Sequence, residues 1–300
     1  MGMPVISVKG LTKHYGDIHA VDGVDLHVEE GEVFALLGPN GAGKSTTVEI
    51  LEGHRRRTSG DVSVLGFDPH SSPREFRESI GIVLQETAIE RELSVREAID
   101  IYGSMYPRRR DTGELIEIVG LEEKADARTK TLSGGQRRRL ELALGIVGDP
   151  QLIFLDEPTT GFDPSARRQA WSIVQNLASL GKTVLLTTHY MDEAQHLADR
   201  LAVIAKGKIV AQGTPASLGG RETAASAITF NTDGASMSGF PLPDAAVAEN
   251  GNVSVRSSAP TKDMHAITGW AIGRGIELSD LSVSRPSLED IYLKLTGEES

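Results

Sequence analysis

Gly38-Pro39-Asn40-Gly41-Ala42-Gly43-Lys44-Ser45-Thr46, GPNGAGKST, is the stretch that decides the reading of this chain. It has the form G-x-x-x-x-G-K-[ST], the spacing of a loop that wraps the phosphates of a nucleoside triphosphate. The residue types suit that task. Glycines at 38, 41 and 43 let the backbone take conformations closed to side-chain-bearing residues, so its N–H groups can turn inward on a polyphosphate. The N-terminus of a following helix adds further N–H groups and partial positive charge. Lys44 supplies a point charge for the β- and γ-phosphates, and Ser45 a hydroxyl for Mg²⁺. The flanks agree: Val33–Leu37 is an unbroken apolar run of strand length, and Thr46–Leu51 can open a helix. Strand, loop and helix together predict an α/β core built around a nucleotide.

The 300 residues suit about two domains. At 39% hydrophobic and 24% charged, the composition is that of a globular protein able to bury a core. No run approaches the roughly 20 apolar residues of a membrane helix. The start, MGMPVISVKG, shows no basic flank and apolar core of a secretory signal. The absence of cysteine excludes disulfides and thiolate metal sites and fits a cytosolic protein. A net charge of −11 argues against a general nucleic-acid binder. Three arginine clusters, Arg55–Arg57, Arg108–Arg110 and Arg137–Arg139, read as solvated helix or loop surface.

Upstream of the loop, Val5–Val8 reads as a strand, and Val24–Val28 alternates apolar and polar as a half-exposed strand does. An antiparallel β-layer therefore leads into the core. Beyond it, Ser59-Gly60 is expected to turn into a strand over Asp61–Gly66, and Ile80–Leu84 to form a buried strand ending at Gln85. Val95, Ala98, Ile99, Tyr102 and Met105 fall at helical spacing, and residues 94–150 read as a helical insert. Leu132-Ser133-Gly134-Gly135-Gln136 follows; Ser133 and Gln136 match a capping box opening a helix over Arg137–Val147. Gly134 and Gly135 are poor helix starters but leave bare N–H groups at the positive end of a helix, which suits an anion. Leu152–Leu155 is a short apolar strand running into Asp156-Glu157, where Asp156 can hold Mg²⁺ and Glu157 can accept a proton from an attacking water. Val184–Thr188 is a further buried strand ending at His189, within reach of a γ-phosphate. Gly213-Thr214-Pro215 and Gly219-Gly220 mark a boundary, and residues 221–300 read as a small α/β accessory domain.

Taken together, residues 4–218 resemble the ATP-binding subunit of an ABC transporter: a P-loop NTPase core with an antiparallel β-subdomain and a helical subdomain, joined here to the accessory domain. In that resemblance Gly38–Thr46 matches Walker A, Gln85 the Q-loop, Leu132–Gln136 the LSGGQ signature, Leu152–Asp156 with Glu157 the Walker B strand and catalytic acid, and His189 the switch histidine. Tyr15 stands where an aromatic residue stacks on adenine, and Gly161-Phe162-Asp163 stands in the D-loop, with Phe162 in place of a common leucine. The resemblance implies ATP and Mg²⁺ as ligands, with Ser45, Gln85 and Asp156 near the metal. It implies a head-to-tail homodimer in which ATP at Lys44 of one subunit is capped by Ser133 and Gly135 of the other. It also implies an integral-membrane permease partner, met through Gln85 and Glu86–Leu93, at the cytoplasmic face of the membrane. Arg285–Gly297, RPSLEDIYLKLTG, resembles the ending of daunorubicin-resistance-type exporter subunits. The alternative is a soluble ABC-type ATPase acting on ribosomes or nucleic acid, against which stand the single motif set and the acidic balance.

Overall fold

The computed structural model describes residues 4–83, 89–243, 245–248 and 251–296. It divides into two compact units, Met1–Pro215 and Ala216–Ser300.

The first unit opens with strands β1 (Ile6–Tyr15) and β2 (Ile18–Val28), then β3 (Val33–Leu37), helix α1 (Lys44–Leu51), β4 (Ser59–Val64), α2 (Arg74–Ser79) and β5 (Ile80–Val83). Helices α3 (Val95–Gly103), α4 (Thr112–Ile118) and α5 (Gly134–Ile146) follow. The unit closes with β6 (Leu152–Asp156), α6 (Pro164–Ser179), β7 (Thr183–Thr188), α7 (Met191–Leu197), β8 (Arg200–Ala205) and β9 (Lys208–Gly213).

Six strands form the central sheet in the order β5-β6-β7-β3-β8-β9, parallel except for the β8–β9 hairpin. Val33–Leu37 and Thr183–Thr188 are buried at every position, as strands covered on both faces must be. Leu37 pairs with Thr188, and Asp156 with Thr187. The carboxyl ends of three neighbouring strands therefore finish side by side. The antiparallel layer, β2-β1-β4, shares one apolar core with the sheet through Ile6, Val8, Leu26, Phe34, Phe76 and Phe154.

Several expectations need correction. β1 runs on through Leu11–Tyr15, because a bulge near Gly10 keeps the strand paired on both sides. Ser59 and Gly60 lie inside β4 rather than in a turn. Gly60 backs onto that bulge, where a Cβ would come within 2.5 Å of the Gly10 carbonyl. Met105 lies beyond the end of α3 and is 63% exposed, whereas Val95, Ala98 and Ile99 are buried. Helix α5 starts three residues before the expected Arg137, directly after Ser133. Arg138 is not solvated but buried against Glu141 at 2.8 Å; it also donates to the carbonyls of Asp156 and Pro158, each at 3.2 Å. It fastens α5 to the end of β6.

The second unit is a four-stranded antiparallel sheet, order β11-β12-β10-β13, from β10 (Ser226–Asn231), β11 (Ala246–Val247), β12 (Asn252–Ser257) and β13 (Ser279–Ser284). Helices α8 (Pro260–Gly273) and α9 (Leu288–Thr296) complete it. Ile228, Phe230, Val253, Val255 and Ile267 form its own core.

Replacing Arg138 with Met leaves Glu141 buried without its partner. The expected loss is about 3–5 kcal/mol of unfolding free energy, read from urea denaturation of the purified chain. An unchanged denaturation midpoint would show the pair to be dispensable.

Candidate active site

The loop after β3 is held from two sides. Gly38 N–H donates to the Thr188 carbonyl at 3.2 Å, and Ala42 N–H to the Pro39 carbonyl at 3.2 Å. Gly41 and Gly43 take positive φ, 78° and 105°, which favours glycine. Gly38 is required for another reason: a Cβ there would lie 2.4 Å from the Ile204 carbonyl. The first bond of α1 runs from Thr47 N–H to the Gly43 carbonyl at 2.9 Å. The N–H groups of Lys44, Ser45 and Thr46 thus precede the helical ladder and point from its positive end. Ala20, Asn40, Gly41, Gly43, Lys44, Ser45, Thr46 and Glu157 line a cavity of about 320 Å³.

Lys44 is 4% exposed, and its ammonium donates to the carbonyls of Gly38 at 2.8 Å and Pro39 at 3.2 Å. Burial pulls its pKa below the ordinary lysine value, against the opposing pull of the Glu157 and Asp156 carboxylates.

Asp156 and Glu157 project from the end of β6. Thr187 on β7 organises both. Its hydroxyl donates to Asp156 Oδ1, and its oxygen accepts the Glu157 N–H at 3.0 Å. Its carbonyl accepts that same N–H at 3.2 Å. Glu157 has φ of 46°, a left-handed backbone for a residue with a side chain, at a cost of about 1–3 kcal/mol. That turn aims the carboxylate back over the loop. Its Oε1 lies 3.5 Å from Lys44 Nζ and 3.1 Å from His189 Nδ1, while Oε2 accepts the Thr160 hydroxyl at 3.0 Å. The His189 approach is close but falls short of hydrogen-bond geometry. Burial works to raise the Glu157 pKa, yet His189, Thr160 and Lys44 outweigh it and hold the carboxyl below its usual range.

The LSGGQ stretch lies apart from the loop. Ser133 caps α5: its hydroxyl accepts the Gln136 N–H at 3.2 Å, and Gln136 Oε1 accepts the Ser133 N–H at 3.0 Å. Gly134 has open space beyond its Cα, and a Cβ on Gly135 would make only an ordinary contact with Ala166. Ser133, Gly134, Gly135 and Gln136 line a second cavity of about 730 Å³ together with Glu157 and Asp163; none of the four lines the loop cavity. Asp163 caps α6 through Ser165 N–H at 2.8 Å and Ala166 N–H at 2.9 Å. Tyr15 ends β1 with 40% of its surface exposed, and Lys13 Nζ sits 4.8 Å from its ring centre. Gln85, and Glu86 to Ala88 of the segment expected to meet a permease, lie outside the described residues.

Sequence reasoning passed over Thr187 and Thr160 and took Arg138 for solvated surface, because a threonine in a buried strand or a turn and an arginine in an arginine run carry no signal of their own. It also passed over Glu52, the residue that ends α1. Glu52 is 3% exposed and borders a cavity of about 240 Å³ with His54, Tyr102 and Tyr106. Burial, aided by the Asp156 and Glu49 charges, pushes its pKa up to about 8.

Comparison with known proteins identifies two matched regions. The family described as "ABC transporter" matches residues 21–160, and the "ABC transporter domain-containing protein-like, C-terminal domain" matches residues 226–287. The daunorubicin resistance ATP-binding protein DrrA3 of Streptomyces coeruleorubidus is 37% identical, covering 100% of this chain and 98% of that protein. The Nod factor export ATP-binding protein I of Rhizobium meliloti (strain 1021) is 40% identical over 98% of this chain and 88% of its own length. Among solved structures, cbiO1 from Clostridium perfringens, part of the ABC transporter complex cbiONQ, superposes with a TM-score of 0.65. It is 29% identical over 72% of this chain and 90% of that one. The ATP-binding cassette MJ0796, seen as a dimer bound to ADP and Pi, gives a TM-score of 0.62 at 25% identity, covering 70% and 98% of the two chains.

Two outcomes follow from these contacts. Thr187→Val keeps the strand's shape but removes the hydroxyl that joins Asp156 to Glu157. Turnover of MgATP is expected to fall about 10- to 100-fold, with ATP affinity changed less than about threefold, as steady-state kinetics and equilibrium binding would read. For Glu52, a folded-state pKa above the unfolded one means a contribution that is full below the ordinary carboxylate range and lost as pH rises towards 8. Glu52→Gln should therefore be the more stable protein at about pH 8.5, with the gap closing by about pH 4, in urea denaturation at the two pH values.

Proposed function

This chain belongs to the ABC transporter family as an ATP-binding and ATP-hydrolysing subunit, and we propose that it powers a separate integral-membrane permease exporting a drug, antibiotic or lipid-like molecule. The cargo reading draws on relatives of near full length whose names specify daunorubicin resistance and Nod factor export. No helix among the described residues is long and apolar enough to cross a membrane; in this reading the pathway belongs to another chain. The reading places this subunit at the cytoplasmic face of the membrane, without a nucleic-acid partner, and takes residues 221–300 as an accessory domain.

The observation that carries the mechanism is the division of the site. Lys44 and the loop N–H groups line one cavity, and Ser133–Gln136 line another, while Glu157 borders both. A loop pocket without its own signature residues is completed by a second copy of the chain, facing the opposite way. Gly134 and Gly135 of each copy then offer their N–H groups, and Ser133 its hydroxyl, to the nucleotide held by the other, with Gln136 bracing Ser133 through the capping box. Within one copy, Gly38 to Thr46 cradle the phosphates, with Lys44 as their counter-charge, and Tyr15 stacks on adenine. Glu157, kept ionised by its neighbours, takes the proton of the attacking water, and His189 holds that carboxylate in line.

The residues present suit Mg²⁺: the Ser45 hydroxyl and the Asp156 carboxylate are hard oxygen donors beside the loop, and Thr187 fixes Asp156 in place. Ser45, Asp156 and Gln85 would hold the ion, which neutralises charge on the β- and γ-phosphate oxygens.

Glu157→Gln keeps size and hydrogen bonding but cannot take a proton. ATP turnover should fall at least about 100-fold, while the chain with MgATP elutes as a dimer in size-exclusion chromatography with light scattering. A strict monomer under those conditions would overturn the shared-site mechanism.

A further inference from the structure

The β1–β2 hairpin carries a side-chain cluster that the nucleotide chemistry does not use. His14 and His19 are cross-strand partners, and Asp22 pairs with Thr12. In a regular strand, residues 19 and 22 would point to opposite faces. A register shift between Lys13 and His14 leaves Ala20 as the extra residue and returns both to one face. The two imidazoles stack, with ring centres 3.8 Å apart and planes 13° from parallel. One ligand atom from each of His14, His19 and Asp22 lies within 4.8 Å of the other two. His14 Nε2 is closed off from solvent and has no hydrogen-bond partner, a costly condition for a polar atom. Lys208 Nζ stands 3.1 Å from an Asp22 carboxylate oxygen.

We propose that His14, His19 and Asp22 hold a divalent transition-metal ion of the zinc class. Two imidazoles and one carboxylate form the donor set such ions take, with water as a fourth ligand. His19 is exposed, so a turn of its side chain meets no packed neighbour on the solvent side and would draw the three donors in to bonds of about 2.0–2.2 Å. The ion gives the sheltered His14 nitrogen the partner that imidazole stacking alone does not.

The site is wired to the phosphate loop. The bulge at Ala20 presses its carbonyl on the loop so closely that a Cβ on Gly43 would come within 2.4 Å of it. Asp22 N–H donates to the Gly207 carbonyl at 2.8 Å, and Gly207 N–H donates to the Ala42 carbonyl at 2.9 Å. Ala20 itself lines the loop cavity. Loading the ion stiffens that wall and shifts ATP affinity, a consequence that rests on the loop being the ATP site.

The test uses the full chain, without nucleotide, titrated with Co²⁺ as a spectroscopic stand-in. The expected result is one Co²⁺ per chain with visible d–d absorption, weakened at least about tenfold by His19→Ala and untouched by His70→Ala, a change at another exposed histidine. No Co²⁺ absorption, or absorption indifferent to His19→Ala, overturns the site. Binding of a fluorescent ATP analogue in excess Mg²⁺, with and without Zn²⁺, reads the coupling; a shift of at least about fivefold, absent in His19→Ala, is expected. An unchanged affinity alongside intact Co²⁺ binding overturns the coupling and leaves the ion site standing. Failure of the wild-type chain to bind the analogue at all would count against the ATP reading of the loop.

Discussion

Everything chemical in this protein depends on three parallel strands ending together. β6, β7 and β3 are neighbours in register, so Asp156 meets Thr187 and Leu37 meets Thr188 across the ladder. Shift β6 by one residue and its side chains change faces. Asp156 would then turn away from the loop, and the Thr187 hydroxyl would have nothing to bind. The parallel arrangement requires crossover connections, and these supply the helices that bury both faces of the sheet. The apolar runs of the strands are thus the reason the acids and the lysine can be gathered at one rim.

At that rim, strain and burial are balanced by specific contacts. Glu157 holds a left-handed backbone against its own preference because its N–H is shared between the carbonyl and hydroxyl of Thr187. Its carboxylate is held by Lys44, His189 and Thr160 together. Lys44, in turn, is buried as a cation only because two backbone carbonyls and two carboxylates surround it. Arg138 reaches from α5 to the carbonyls just before and after Glu157, so the helix that begins with the signature glycines is fastened to the strand that bears the acid.

The sequence was most readable where one physical requirement dominated. Val33–Leu37, Leu152–Leu155 and Val184–Thr188 announced buried parallel strands because both of their faces need apolar cover. The places of Asp156, Glu157 and His189 at strand ends followed directly. Readability failed where two requirements overlapped. β1 hid its full length behind a bulge and polar residues at its exposed positions. Gly60 looked like a turn because glycine serves turns and tight backbone crossings alike. Arg138 looked solvated because arginine runs usually are, and only the folded chain reveals the acid at position 141 beside it. The start of helix α6 went unread, although Asp163 followed by Pro164, a capping residue before a proline at the first helical position, marks it.

The buried acid at the end of α1 has a consequence for the molecule as a whole. With a pKa of about 8, Glu52 keeps its proton at neutrality and does not contribute the negative charge that the formal −11 counted from composition assigns to it. The composition places the isoelectric point near 5.3, where an ordinary glutamate is already ionised. Native electrophoretic focusing is therefore drawn towards a less acidic position than that of the same polypeptide in urea by the proton that Glu52 keeps at the far end of α1.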